Sequence, residues 1–170
     1  MLQKKICMVG VFGTGKTCLV QRYVHSIFST KYLSTVGVKI DRREIQAKGQ
    51  PISLVLWDLE GREATRDINP SYIRGAHGIL YVVDGTRRET FEQLFEINDV
   101  VVQSLGAVPN VVALNKSDLT DQWQLKPADT KRLTSAGFFS LPTSAKSGAG
   151  VEAAFQHLAD ATVAPAGAPR

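Results

Sequence analysis

Hydrophobic positions along the chain alternate between short apolar runs and stripes of helical spacing. Lys5-Ile6-Cys7-Met8-Val9 reads as a short buried strand, after which Leu19, Val20, Tyr23, Val24 and Ile27 recur on one face of a first helix. A polar loop from Phe28 to Thr35 leads into Val38 to Gln46, where Ile40, Arg42, Arg43 and Glu44 give the mixed character of an edge strand. Ala47 to Pro51 forms a Gly-containing turn. Ile52, Leu54 and Leu56 then alternate with Ser53, Val55 and Trp57 in a strand that ends in Asp58-Leu59-Glu60-Gly61. Beyond it, a polar stretch through Arg74-Gly75 suits a loop with a short irregular helix.

The second half is more regular. Gly78 to Asp84 is nearly continuous in apolar residues, as expected of a central parallel strand covered on both faces. Phe91, Leu94, Phe95, Val101, Val102 and Leu105 mark one face of a long helix. Asn110 to Leu114 is another central strand, Ala128 to Ser135 a shorter helix, and Phe138 to Leu141 the last strand. Val151, Ala154, Phe155 and Leu158 stripe a final helix. This alternation predicts an α/β fold, a mainly parallel six-stranded sheet with helices on both faces, and places any ligand beyond the carboxyl ends of the strands.

Composition changes that picture little. At 170 residues, 44% hydrophobic and 21% charged, the chain is an ordinary globular domain with no apolar run of membrane-spanning length. Cys7 and Cys18 lack metal-ligand spacing and read as buried reduced thiols, which fits a cytoplasmic setting. The net charge of +4 is spread over short pairs such as Lys4-Lys5 and Arg87-Arg88. A solvated surface, with no nucleic-acid partner, is the reading that follows. His25 and His157 lie on predicted helices without Asp or Glu at ligand spacing, so a structural or solvated role is expected. His77 needs no more than packing, and Trp57 and Tyr72 read either as core aromatics or as partner-binding ones.

Candidate chemistry gathers at strand ends. Gly10 to Thr17, GVFGTGKT, matches GxxxxGK[ST] between a strand and a helix. Its glycines let successive backbone N–H groups turn inward around a polyphosphate at a helix N-terminus. Lys16 reaches the terminal phosphates and the Thr17 hydroxyl suits a magnesium ion; a glycine-rich turn that merely opens a helix would share the composition. Asp58 to Gly61 closes one strand, with a carboxylate for magnesium and a Gly61 N–H for a γ-phosphate, although Asp-x-x-Gly is also a common strand-to-turn sequence. Asn115-Lys116-Ser117-Asp118 closes another, where an Asx turn competes with base reading. A carboxylate there accepts both N1–H and the 2-amino group of guanine, a donor pair adenine lacks. Ser144-Ala145-Lys146 closes the last strand and offers a backbone N–H to guanine O6, a weak signal alone.

Together these residues resemble a Ras-superfamily small GTPase, most closely the Rab branch, from Lys4 to about Val163. The carrying segments are Gly10 to Thr17, Ser34 to Val38, Trp57-Asp58 with Gly61, Tyr72 to Gly78, Asn115 to Asp118 and Ser144 to Lys146. The resemblance implies a P-loop G domain over 1–163 with a short 164–170 tail, acting as a monomeric switch that binds GTP or GDP with Mg2+. It also implies that nucleotide is held by Phe12, Gly13, Thr14, Gly15, Lys16, Thr17, Cys18, Phe28, Thr35, Asp58, Gly61, Asn115, Lys116, Asp118, Ser144, Ala145 and Lys146. Among these, Thr17, Thr35 and Asp58 would serve the metal and Lys16, Thr35, Gly61 and Arg62 the chemistry. Phe28 resembles the ring that packs on the guanine edge. The segments around Thr35 and from Gly61 to Tyr72 would be two switches, ordered by the γ-phosphate and read by effector, exchange or activating proteins.

Departures from the family pattern concentrate on hydrolysis. Where Asp-Thr-Ala-Gly-Gln is usual, this chain reads Asp58-Leu59-Glu60-Gly61-Arg62, so the water-orienting glutamine is an arginine. Phe12 occupies a position that is commonly small. Arginine has no acceptor with which to align water, so slow turnover is expected. Two readings stay open: a slow GTPase, and a GTP-binding scaffold with hydrolysis essentially lost. A nucleotide kinase using ATP is disfavoured by Asn115 to Asp118. The terminal Pro165 to Arg170 carries no cysteine, and no direct lipid anchor is expected.

Overall fold

The computed structural model describes residues 1–29, 35–59, 61 and 68–164. Its strands are β1 (Leu2–Val9), β2 (Val38–Ala47), β3 (Gln50–Leu59), β4 (Gly78–Asp84), β5 (Asn110–Asn115) and β6 (Ser140–Pro142). Its helices are α1 (Lys16–His25), α2 (Pro70–Ile73), α3 (Arg88–Leu105), α4 (Pro127–Ser135) and α5 (Val151–Thr162), with one 3₁₀ turn at Thr120–Gln122. One six-stranded sheet runs in the order β2-β3-β1-β4-β5-β6, with only β2 antiparallel to its neighbour. The expected edge strand is therefore at an edge.

Period-two alternation divides the strands between two cores. Ile6 and Met8 of β1 face α1 and α5, meeting Leu19, Val20, Phe155 and Leu158, whereas Cys7 and Val9 face α3 and meet Phe91, Leu94 and Val101. On the α5 side the Tyr23 and Phe155 rings stack with centroids 4.0 Å apart. Every residue of β4 is buried, the price of lying between two helical layers. Because β1, β3, β4 and β5 are parallel, their carboxyl ends open at the same edge of the sheet.

Several boundaries differ from those the pattern suggests. Ile27 lies beyond α1 and is exposed, because Ser26 adopts a left-handed conformation, its N–H closing back on the Arg22 carbonyl and that of Ile27 on the Gln21 carbonyl. Val102 is exposed at 46%, off the α3 stripe that Ile97 and Val101 complete. Phe138 is buried but precedes β6, since its N–H bonds the Leu133 carbonyl in the turn that leaves α4. Both thiols are free, yet only Cys7 is fully buried, with its pKa pushed up to about 12 by desolvation; Cys18 is half-buried. His25, with no Asp or Glu at ligand spacing in the sequence, has its Nε2 3.3 Å from Asp41 Oδ1, a partner supplied by β2. His157 stacks on Phe139 at 3.6 Å.

The two-core arrangement sets a contrast that chemical denaturation reads. Phe155→Ala removes a fully buried ring from the α1–α5 core and should cost about 3–5 kcal/mol. Val102→Ala, of similar apparent character in sequence, should stay within about 0.5 kcal/mol.

Candidate functional site

The loop between β1 and α1 is shaped by close backbone approaches. Gly15 has φ +99°, and a Cβ there would lie 2.3 Å from Asn115 Nδ2; a Cβ on Gly10 would lie 2.6 Å from the Val82 carbonyl. Only glycine satisfies both positions. Lys16 opens α1 and is only 6% exposed, its Nζ donating to the carbonyls of Gly10 (2.9 Å) and Val11 (3.1 Å). Burial lowers its pKa to about 8, against the pull of Asp58.

At the end of β3 an all-oxygen cluster forms. Thr17 Oγ1 donates to Asp58 Oδ2 at 2.6 Å and meets Thr35 Oγ1 at 2.6 Å, while Thr35 Oγ1 lies 3.3 Å from the same carboxylate oxygen. Asp58 is wholly buried, and its Oδ1 finds no hydrogen-bond partner among the described residues. Desolvation raises its pKa, opposed chiefly by the Thr17 hydroxyl. A buried carboxylate with an orphaned oxygen beside two hydroxyls is a donor set suited to a hard cation such as Mg2+. No cluster of three or more His, Cys, Asp or Glu that could hold a metal ion is found among the described residues.

β5 and β6 build the other end. Asn115 Nδ2 donates to the Thr14 carbonyl (3.0 Å), and its Oδ1 accepts from Thr143 Oγ1 (3.1 Å). Lys116 holds a left-handed backbone, φ 69°, and its Nζ reaches the Gly13 carbonyl at 3.0 Å and Asp84 Oδ2 at 2.8 Å. Ser144 Oγ donates to Asp118 Oδ1 at 2.8 Å, which fixes the carboxylate and leaves its second oxygen for another donor. Arg22 of α1 holds the following loop by its carbonyls, Nε to Ala145 (2.6 Å) and Nη2 to Lys146 (2.5 Å).

These ends enclose one cleft of ≈ 390 Å³. Its wall includes Phe12, Gly13, Gly15, Lys16, Thr17, Cys18, Phe28, Thr35, Gly61, Asn115, Lys116, Asp118, Ala145 and Lys146, all singled out in the sequence. Three others, Thr14, Asp58 and Ser144, are fully buried behind it, where they brace the loop, the Thr17 hydroxyl and Asp118. Gly61 closes the end next to the phosphate loop: a Cβ there would lie 2.8 Å from the Phe12 nitrogen and 2.9 Å from Lys16 Nζ. Arg62 and Glu60 lie outside the described residues, as does half of the segment from Gly61 to Tyr72.

Sequence reading missed the supports. Asp84 is 1% exposed and holds Lys116 and Arg87; a carboxylate closing the most apolar strand was the available signal. Arg22 and Thr143 carry no pattern that would have marked them. Leu59 and Leu119 also line the cleft, as apolar flanks of motifs whose polar members drew attention.

Comparison with known proteins agrees with this geometry. The family model described as "Ras family" matches residues 5–164. Among curated relatives, the Ras-related protein Rab-8B of Homo sapiens is 37% identical over 157 residues, which cover 91% of this chain and 76% of the relative. The Pongo abelii protein of the same name is 36% identical over the same coverage. The chain belongs to the Ras family.

Proposed function

We propose that the cleft at the carboxyl edge of the sheet is where this protein performs its family's reaction, with the residues above in defined roles. As a Rab-like member of the Ras family it is a guanine-nucleotide-binding switch that hydrolyses GTP to GDP and phosphate. The observation that carries the residue-level reading is the convergence of Thr17, Thr35 and the half-orphaned Asp58 in the same cleft as the phosphate loop and Asp118.

In this reading the N–H groups of 13–17 and the Lys16 ammonium bind the phosphates. Thr17 and Thr35 would hold Mg2+ with Asp58 behind them, and the ion would supply positive charge to offset that of the phosphates. Asp118, steadied by Ser144, accepts the two guanine donors, the Ala145 N–H serves O6, and Phe28 covers the base edge. Thr35 and Gly61 touch the terminal phosphate from two flanking segments, so its loss releases both, the event that effector, exchange and activating proteins would read. Trp57, whose ring carries Lys5 Nζ 3.6 Å above it, and Tyr72 are half-buried beside that surface and suit the same partners. Among the described residues no helix is long and apolar enough to cross a membrane. We place the protein in the cytoplasm.

Base reading is tested by Asp118→Asn. Replacing the carboxylate removes two charge-assisted bonds, so GTP affinity should fall about a hundred- to ten-thousandfold. Xanthosine nucleotides should gain, since the amide supplies a donor for the 2-carbonyl.

Hydrolysis is tested by single turnover. Family members that keep the glutamine turn over unaided at about 10⁻⁴ per second. With Arg62 in its place the wild-type rate should lie at or below that scale, and Arg62→Gln combined with Glu60→Ala should raise it. A wild-type rate above that scale that Arg62→Gln lowers would make Arg62 itself catalytic.

A further inference from the structure

Three consecutive peptides of the phosphate loop are each gripped from behind. Arg87 Nη2 donates to the Phe12 carbonyl at 2.7 Å, Lys116 Nζ to Gly13 at 3.0 Å, and Asn115 Nδ2 to Thr14 at 3.0 Å. The last two belong to the motif at the end of β5. Arg87 does not: it is the residue just before α3, outside every motif in the sequence.

Its guanidinium is placed by a built support. Asp84, at the end of β4, accepts Arg87 Nε at 3.1 Å and Lys116 Nζ at 2.8 Å on Oδ2, and the Thr86 N–H and hydroxyl at 2.9 and 2.6 Å on Oδ1. Burial would raise this carboxyl's pKa, but the bonds from Lys116 and Thr86 outweigh it and leave it below the usual range. The Arg87 backbone is fixed as well, its N–H on the Asp84 carbonyl and its own carbonyl accepting from Thr90 Oγ1 at 2.8 Å. One buried carboxylate thus spaces two cations over adjacent loop carbonyls.

A trans peptide carries its C=O and the following N–H on opposite sides. Holding the Phe12 carbonyl behind the loop therefore turns the Gly13 N–H toward the cleft, and a cation on that carbonyl strengthens the N–H as a donor. Position along the loop decides which phosphate benefits. The Phe12 end abuts Gly61 and Lys16 Nζ, whereas the Gly15 end abuts Asn115 at the base side.

We propose that Arg87 is a positioning residue for the terminal phosphates, bridging Asp84 to the Phe12 carbonyl so that the 12–13 peptide favours GTP over GDP. The proposal rests on the nucleotide reading of the cleft. During hydrolysis the same donor receives charge as it passes to the departing diphosphate.

The neighbouring Arg88 supplies an internal control, since it pairs with Asp129 at 2.7 Å and has no bond to the loop. Dissociation of fluorescent GDP and of a non-hydrolysable fluorescent GTP analogue would be timed for wild type, Arg87→Ala, Arg87→Lys and Arg88→Ala, with thermal melts and the Gly13 amide proton shift recorded alongside. Arg87→Ala should speed release of the GTP analogue about tenfold, the scale of one charge-assisted bond, and of GDP by less than about threefold. Its Gly13 proton should move upfield. Arg87→Lys can keep the Asp84 pair but cannot span both partners, so it should keep the melting temperature and lose the preference; if Arg87→Ala fails to fold, this variant carries the test. Arg88→Ala should lower the melting temperature and leave the ratio of the two rates unchanged. Equal acceleration of both nucleotides, or none, in the folded Arg87 variants would overturn the proposal. Wild type that holds neither nucleotide would instead overturn the reading of the cleft.

Discussion

A loop that points its backbone N–H groups at a ligand must turn its carbonyls the other way, into protein, where each needs a donor. Between β1 and α1 every such carbonyl has one. Lys16 serves Gly10 and Val11, Arg87 serves Phe12, Lys116 serves Gly13, Asn115 serves Thr14, and the Leu19 N–H serves Gly15. Those donors come from α1, the start of α3 and the end of β5, so the loop takes this shape only if those elements end together. The parallel sheet makes that possible, because its strands deliver their following segments to one edge.

Bracing is unevenly shared around the cleft among the described residues. The end of the cleft around Asp118 is braced many times over, by Thr143 on Asn115, Ser144 on Asp118 and Arg22 on the carbonyls of Ala145 and Lys146. Thr35 and Gly61, by contrast, approach the cleft from the β2 and β3 side. The bond of Thr35 there is to Thr17 and Asp58, the groups a bound cation would engage. In the proposed reading, the braced end would hold the nucleotide and the Thr35 and Gly61 contacts would depend on what is bound, as a switch requires.

How much of this could be read from the chain depended on the kind of contact. The sheet and its helices were legible because β4 and β5 are almost continuously apolar and the helices carry amphipathic stripes, and the motifs were legible because glycine and lysine spacing is local. Boundaries slipped where a turn closes by backbone bonds alone, as at Ile27 and Phe138. Pairings between distant segments were invisible: His25 with Asp41, Arg22 with the β6 loop, and Asp84 with Lys116. Ser144 shows the limit well, since its tripeptide suggested only a backbone N–H for the base, and the bond from its hydroxyl to Asp118 left no mark in the sequence.

The central claim is that this edge of the sheet is built for a guanine nucleotide, with Asp118 fixed to accept a donor pair that adenine lacks. Competition of GTP and ATP against a fluorescent GDP analogue measures that claim most directly. The account predicts that ATP needs about four orders of magnitude higher concentration than GTP, the scale at which a polar site rejects a ligand that leaves it unpaired. Displacement by the two at comparable concentrations would contradict it.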